Sequence, residues 1–168
     1  FDVSRDLTTC GDYLQFIDDG GYQRPEFWLS AGWQTVCDQE WQAPLYWFRK
    51  DDQWYQFTLA GPHEVEPRLP VTHVSYFEAE AFARWSQSRL PTEAEWEVAS
   101  QYGTVDGNFV DKLLAEDSAI HPHGGAGSDA SIVNMFGDVW EWTASPYVPY
   151  PGYASPAGAI GEYNGKFM

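Results

Sequence analysis

The four imidazoles of this 168-residue chain, His63, His73, His121 and His123, are its first candidates for metal chemistry, because a neutral ring nitrogen ligates zinc, copper or iron well. No two of them stand four residues apart, the helical spacing that would aim a pair at one ion. His121 and His123, in HPHGG, could ligate from a loop, although solvated loop histidines are far commoner. His73 is expected to be a partly buried, satisfied side chain on a short strand. The carboxylates of RLPTEAEWEVAS resemble a glycosidase pair at first sight. They follow helix-start logic instead: Thr92 and Glu95 form a capping box, and Glu93 and Glu97 add negative charge near the positive end of the helix. Cys10 and Cys37 are too few for a disulfide framework, so a reducing cytoplasm is the expected compartment. Nine Trp, ten Tyr and ten Phe make 17% of the chain. Aromatics at that density build a core of large plates around irregular loops, or a pocket lined with π faces, and both can hold together.

The elements that must position these groups are readable in part. Thr9 with Asp12 starts a helix whose Tyr13, Phe16 and Ile17 share one face, and Gly20 and Gly21 end it. Pro25 opens a short helical turn through Leu29 that closes near Gly32, and a second short helix is expected over 35–40. LYWF at 45–48 and WYQFTL at 54–59 flank RKDDQ, the pattern of a hairpin with a loop of about five residues. GPHEVEPRLP reads as a connector, and Val71 to Val74 as a short strand. Ser75 and Glu78 then cap a helix whose buried stripe is Phe77, Ala81 and Trp85, with Phe82 beside it. From 101 to 129 the pattern dissolves apart from a KLLAE turn, and irregular chain of that length is usually functional or pinned by an ion. NMFGDVWEWT alternates enough for a strand.

A net charge of −16, from 25 acidic and 9 basic residues, argues against nucleic acid, because Arg24, Arg49, Lys50, Arg68 and Arg84 are scattered among carboxylates. No apolar run approaches the roughly 20 residues of a membrane span, and the first residues have no signal-peptide pattern. With no internal repeat and no linker, 1–168 reads as one domain. The start at Phe1 and the stop at GKFM suggest a piece of a longer polypeptide.

Pro70-Val71-Thr72-His73-Val74-Ser75, followed by Glu78, Ala79, Ala81, Phe82 and Trp85, then RLPTEAEWEVA at 89–99, then GDVWEWT at 137–143, resemble the formylglycine-generating-enzyme-like (sulfatase-modifying-factor) family. The resemblance implies an α+β, loop-rich fold of C-type-lectin-like type. Within that family YLQFIDDGGYQRPEFWLSAGW, WQAPLYWF, VTHVSYFEAEAFARW and GEYNGKFM are similar to the C-terminal domain of EgtB-type sulfoxide synthases of ergothioneine biosynthesis. That likeness implies a non-haem iron(II) and O2-dependent enzyme (hercynine oxygenase) that joins cysteine or γ-glutamylcysteine to the imidazole C2 of hercynine and oxidises the sulfur. It also implies that the three iron-binding His lie on an N-terminal DinB-like bundle, so that this chain holds no iron ligands. A last segment of the domain, with an RGGS-like strand and an Arg-rich loop, is expected beyond Met168. The chain would then be a fragment, incomplete at its C-terminal end and inert alone.

The same resemblance assigns roles. Tyr150 and Tyr153, in YPGY, fall where such synthases present catalytic tyrosines, and a phenol with its ordinary pKa of about 10 can donate a proton without becoming a strong ligand. Trp140, Trp142 and Tyr147 are the nearest rings to surround the quaternary ammonium of hercynine by cation–π attraction. For Trp140 and Trp142 the competing expectation is core packing on a strand. Gly137, Val139 and Glu141 match a turn that wraps structural calcium in formylglycine-generating enzymes, with Asp138 in place of the usual Asn. The copper-binding cysteines of those enzymes would fall after Met168, not at Cys10 or Cys37. Two rival readings remain: a copper-dependent formylglycine-generating oxidase of sulfatases, and a non-enzymatic binding module on the same scaffold.

Overall fold

The computed structural model describes residues 1–103, 105, 107–116, 118–124, 132–159, 161 and 162; beyond its first two residues the GEYNGKFM motif lies outside them. Mixed helices and one small antiparallel sheet make up the described chain. The first helix, α1 (Cys10–Asp18), starts as its sequence requires: the Thr9 hydroxyl accepts from the Asp12 N–H, and the Asp12 carboxylate accepts from the Thr9 N–H, each at 3.1 Å. Single 3-10 turns follow at Gly21–Gln23 and Pro25–Phe27. The next helix, α2 (Ser30–Gln39), begins five residues before the expected 35–40 stretch and takes in Gly32, which was expected to close the preceding turn. No side chain caps it at Leu29, so capping logic does not announce it. Packing of Trp33 and Val36 on the core supplies what a cap would.

The sheet is a meander of β1 (Trp47–Lys50), β2 (Gln53–Thr58) and β3 (Gly61–Glu64). The expected hairpin forms, with a shorter loop. Asp51 and Asp52 both take left-handed backbone, at φ 49° and 64°, which makes a two-residue turn whose twist suits the flanking strands. Arg49, Lys50 and Gln53 therefore join the ladder, and the Arg49 guanidinium lies over the Trp54 ring, 5.6 Å from its centroid. The third strand corrects the connector reading of GPHEVEPRLP. Pro62 pairs with Phe57 on an edge strand, where its missing N–H faces no further strand.

Val71 to Val74 forms no strand. The segment meets α1's entry through one bridge, Thr9 with Pro70, and the Val71 N–H donates to the Thr8 carbonyl at 2.9 Å. His73 then takes φ 62°, which ends any extended run. Next come α3 (Tyr76–Trp85), capped by Ser75 with Glu78, α4 (Glu93–Ser100), capped by Thr92 with Glu95, and α5 (Val110–Ala115), the KLLAE turn. Arg89 clamps both Glu95 oxygens, at 2.7 and 2.6 Å, and with the Thr92 N–H holds that carboxyl down at about 2.

Part of the aromatic complement is core. Tyr13 stacks on Phe82 at 5.4 Å, while Phe16 meets Phe82 and Trp85 edge-on at 6.0 and 5.8 Å. A second cluster of Cys10, Trp47 and Val65 seats the sheet and shares Ile17 and Val71 with the first. Cys10 and Cys37 are free thiols, and burial pushes Cys10 up to about 12.

One buried polar relay crosses this core. The Tyr22 hydroxyl donates to Glu78 Oε1 at 2.5 Å and lies 3.1 Å from the Tyr13 hydroxyl, while the Ser75 N–H donates to Glu78 Oε2 at 2.7 Å. Glu78→Ala is expected to destabilise by about 3 kcal/mol, since it strands the buried Tyr22 hydroxyl and the part-buried Ser75 N–H, the second of these being half of the capping box. Burial raises the Glu78 carboxyl above the ordinary carboxylate range. The folded state therefore holds that proton more firmly than the unfolded one. This contribution to stability is full below the unfolded value and is lost as pH rises through the raised one. Glu78→Gln removes that part of the slope, which urea titrations of both proteins at several pH values would read.

Candidate functional site

The site is built from loops that cross one another beside α4. Glycine makes the crossing possible. A Cβ on Gly107 would sit 2.0 Å from the Phe136 carbonyl oxygen, and one on Gly137 would sit 2.7 Å from the Asn108 nitrogen, with Gly137 also at φ 100°. Asp138 ties the crossing together. Its Oδ1 accepts from Asn108 Nδ2 at 2.9 Å and from the His123 N–H at 2.7 Å, and its Oδ2 accepts from Asn134 Nδ2 at 2.6 Å. Asn108 Nδ2 also donates to the His121 carbonyl at 2.8 Å. Where a strand was expected, NMFGDVWEWT is therefore irregular: Asn134 and Gly137 have positive φ, and side-chain bonds to Asp138 take the place of a ladder.

The segment after this crossing is hung on α4. Trp96 Nε1 donates to Glu141 Oε2 at 3.0 Å, the Glu93 N–H donates to Ser145 Oγ at 3.0 Å, and the Tyr150 hydroxyl donates to Glu97 Oε2 at 3.2 Å. Positions 93, 96 and 97 lie on one face of a helix, so a single rigid element fixes Glu141 and Tyr150 together. The Ala144 N–H adds a bond to the Pro91 carbonyl at 2.8 Å. Glu97 therefore holds a tyrosine as well as lending charge to the helix start. The signal for it was the i, i+3, i+4 spacing of Glu93, Trp96 and Glu97.

Glu97 raises the Tyr150 phenol above its ordinary value, first by accepting its hydrogen bond and then by its charge, so the hydroxyl keeps its proton. Tyr153 sits one turn on, its N–H bonded to the Tyr150 carbonyl at 2.9 Å around Pro151 and Gly152, and both rings are exposed. Trp140 is fully exposed, at 102% of its reference area, which overturns the core-packing expectation for that ring. Trp142 is half-exposed, donating to the Val74 carbonyl at 3.0 Å and meeting Tyr76 edge-on at 5.9 Å. Tyr147 is exposed. The three rings expected to face the ammonium are thus all exposed, and Trp142 alone of them is in edge contact with another described ring.

Burial raises the Glu141 carboxyl, and only partly does the Trp96 N–H offset this. Its neighbours Gly137 and Val139 offer backbone carbonyls, so the donors are hard oxygens of the kind calcium takes. Among the described residues, no group of three His, Cys, Asp or Glu side chains is placed to hold a metal ion. His73, expected to be partly buried, is exposed and meets Tyr46 edge-on at 4.9 Å. Among the described residues, no helix is long and apolar enough to cross a membrane.

Residues 1–125 match the sulfatase-modifying factor enzyme 1-like domain. The chain belongs to that family. It is also similar to proteins named hercynine oxygenase: 36% identical to that of Mycolicibacterium thermoresistibile, 37% to that of Mycolicibacterium smegmatis and 34% to that of Mycobacterium tuberculosis. Each alignment covers 91% of this chain but 37–39% of the relative. This sulfatase-modifying-factor chain thus spans a little over a third of the length of the curated relatives it matches.

Proposed function

We propose that this chain is part of a sulfoxide synthase that joins the sulfur of cysteine or γ-glutamylcysteine to hercynine with O2 in ergothioneine biosynthesis. The observation that carries this reading is the 34–37% identity to three hercynine oxygenases over 91% of the chain. In this reading the domain is a C-type-lectin-like fragment, and the enzyme is completed by an N-terminal DinB-like bundle and a C-terminal segment. It works in the cytoplasm, with which two free thiols agree. In this reading the ligands of the non-haem iron(II) that supplies the oxygen chemistry belong to the bundle. What this chain contributes is a wall: Tyr150 and Tyr153 as phenols that hold a proton for the reaction, and Trp140, Trp142 and Tyr147 as faces for a quaternary ammonium.

The test is to supply the full-length protein with iron(II), O2, hercynine and each thiol in turn. The expected product is the hercynine–cysteine sulfoxide, or its γ-glutamyl form. Absence of a sulfoxide with both thiols, together with formylglycine on a sulfatase cysteine peptide, would overturn the reading.

Structural calcium at Gly137, Val139 and Glu141 belongs to the same proposal, because a cation there would offset the cost of burying the Glu141 charge. Calcium at a hundred times its Kd is expected to stabilise the fold by about 2.7 kcal/mol. Thermal unfolding with calcium and with a chelator reads this, and Glu141→Gln should lose most of the response.

A further inference from the structure

His63, His123 and His73 all stand within electrostatic reach of His121. Gln56 and His63 are paired across β2 and β3, so their side chains share a face of the sheet. Gln56 Nε2 lies 3.5 Å from His121 Nε2, which puts His121 on that face. His73 arrives from the turn before α3 and touches Tyr46, whose carbonyl accepts from the Phe57 N–H, next to Gln56. His123 stands two residues further along the His121 loop. His121 itself is half-buried, and its Nδ1 is shielded from solvent without a hydrogen-bond partner among the described residues.

An imidazole so placed resists a second proton, because the charged ring needs both nitrogens bonded and Nδ1 has no partner among the described residues. Desolvation and then His63, His123 and His73 all push His121 below the ordinary histidine value. The nearby carboxylate, Asp138, spends its oxygens on Asn108, Asn134 and the His123 N–H. Gln56, from β2, is neutral.

We propose that His121 is an acid-sensitive latch: neutral, it lets the 118–124 segment lie against the sheet at Gln56, and charged, it releases it. The Asp138 bonds to Asn108 and the His123 N–H carry that release to the loop bearing Trp140. The sign follows from linkage: the open form takes up protons more readily than the closed one, so closure is complete above the ordinary histidine range and is lost as pH falls from there through the lowered His121 value.

Hydrogen exchange of the full-length protein, followed by mass spectrometry from about pH 7.5 to about pH 5.5 and corrected for intrinsic rates, tests this. Peptides covering 118–124 should open about tenfold more per pH unit for each linked proton, while those of α1 should not change. His121→Gln should make the 118–124 response flat. Should that variant fail to fold, His63→Gln, at an exposed position, should shallow the response. Protection at 118–124 that does not vary with pH, or a dependence unchanged in His63→Gln, would overturn the latch.

Discussion

Tyr150→Phe in the full-length protein is expected to lower turnover about a hundredfold with little change in KM, the usual loss when a positioned proton donor is removed. The reason is local. Tyr150 is held by Glu97 on α4, and that contact raises the phenol, so in the proposed reaction the group is protonated and oriented. Phenylalanine keeps the ring and deletes only the transferable proton. Tyr153→Phe should lose less, because the Tyr153 hydroxyl has no partner among the described side chains to orient it. Glu97→Gln separates positioning from donation: it keeps an acceptor for the phenol but removes the charge, so the pH at which activity falls on the alkaline side should move down while KM stays. Steady-state rates across pH for the three variants would decide. Equal activity of Tyr150→Phe and the natural protein would remove Tyr150 from the mechanism.

Gly107→Ala is expected to cost about 4 kcal/mol, among the large effects of single substitutions. Its Cβ would stand 2.0 Å from the Phe136 carbonyl oxygen, and that oxygen belongs to backbone, which cannot rotate away as a side chain tip can. The crossing must therefore separate. With it go the Asp138 bonds to Asn108 and the His123 N–H. Gly137→Ala should act through the same contact and through its left-handed φ of 100°. Because the two glycines face each other's segments, the double variant should cost less than the sum of the singles. Urea unfolding of the set measures both. A Gly107→Ala protein within about 0.5 kcal/mol of the natural one would show that the two backbones do not meet as described.

Much of this was legible beforehand where the signal is local. Three helix starts were read from Thr9 with Asp12, Ser75 with Glu78 and Thr92 with Glu95, and each forms reciprocally bonded boxes. The hairpin was legible from two aromatic runs, but its loop length was not, because two aspartates can take the left-handed backbone that a shorter turn needs. α2 has no cap to announce it and β3 carries a proline, so both depend on what packs beside them.

The sequence by itself determined the family, the capped helices and the segment that bears the tyrosines, because caps, periodicity and motif spacing act over a few residues. Only the tertiary structure decided that α4 holds Glu141, Ser145 and Tyr150 from one face, that GDVWEWT is a pinned loop, and that His121 lies against Gln56 of the sheet. Those outcomes depend on close backbone crossings and on hydrogen bonds between residues tens of positions apart. No local propensity encodes such contacts before the core has brought the segments together.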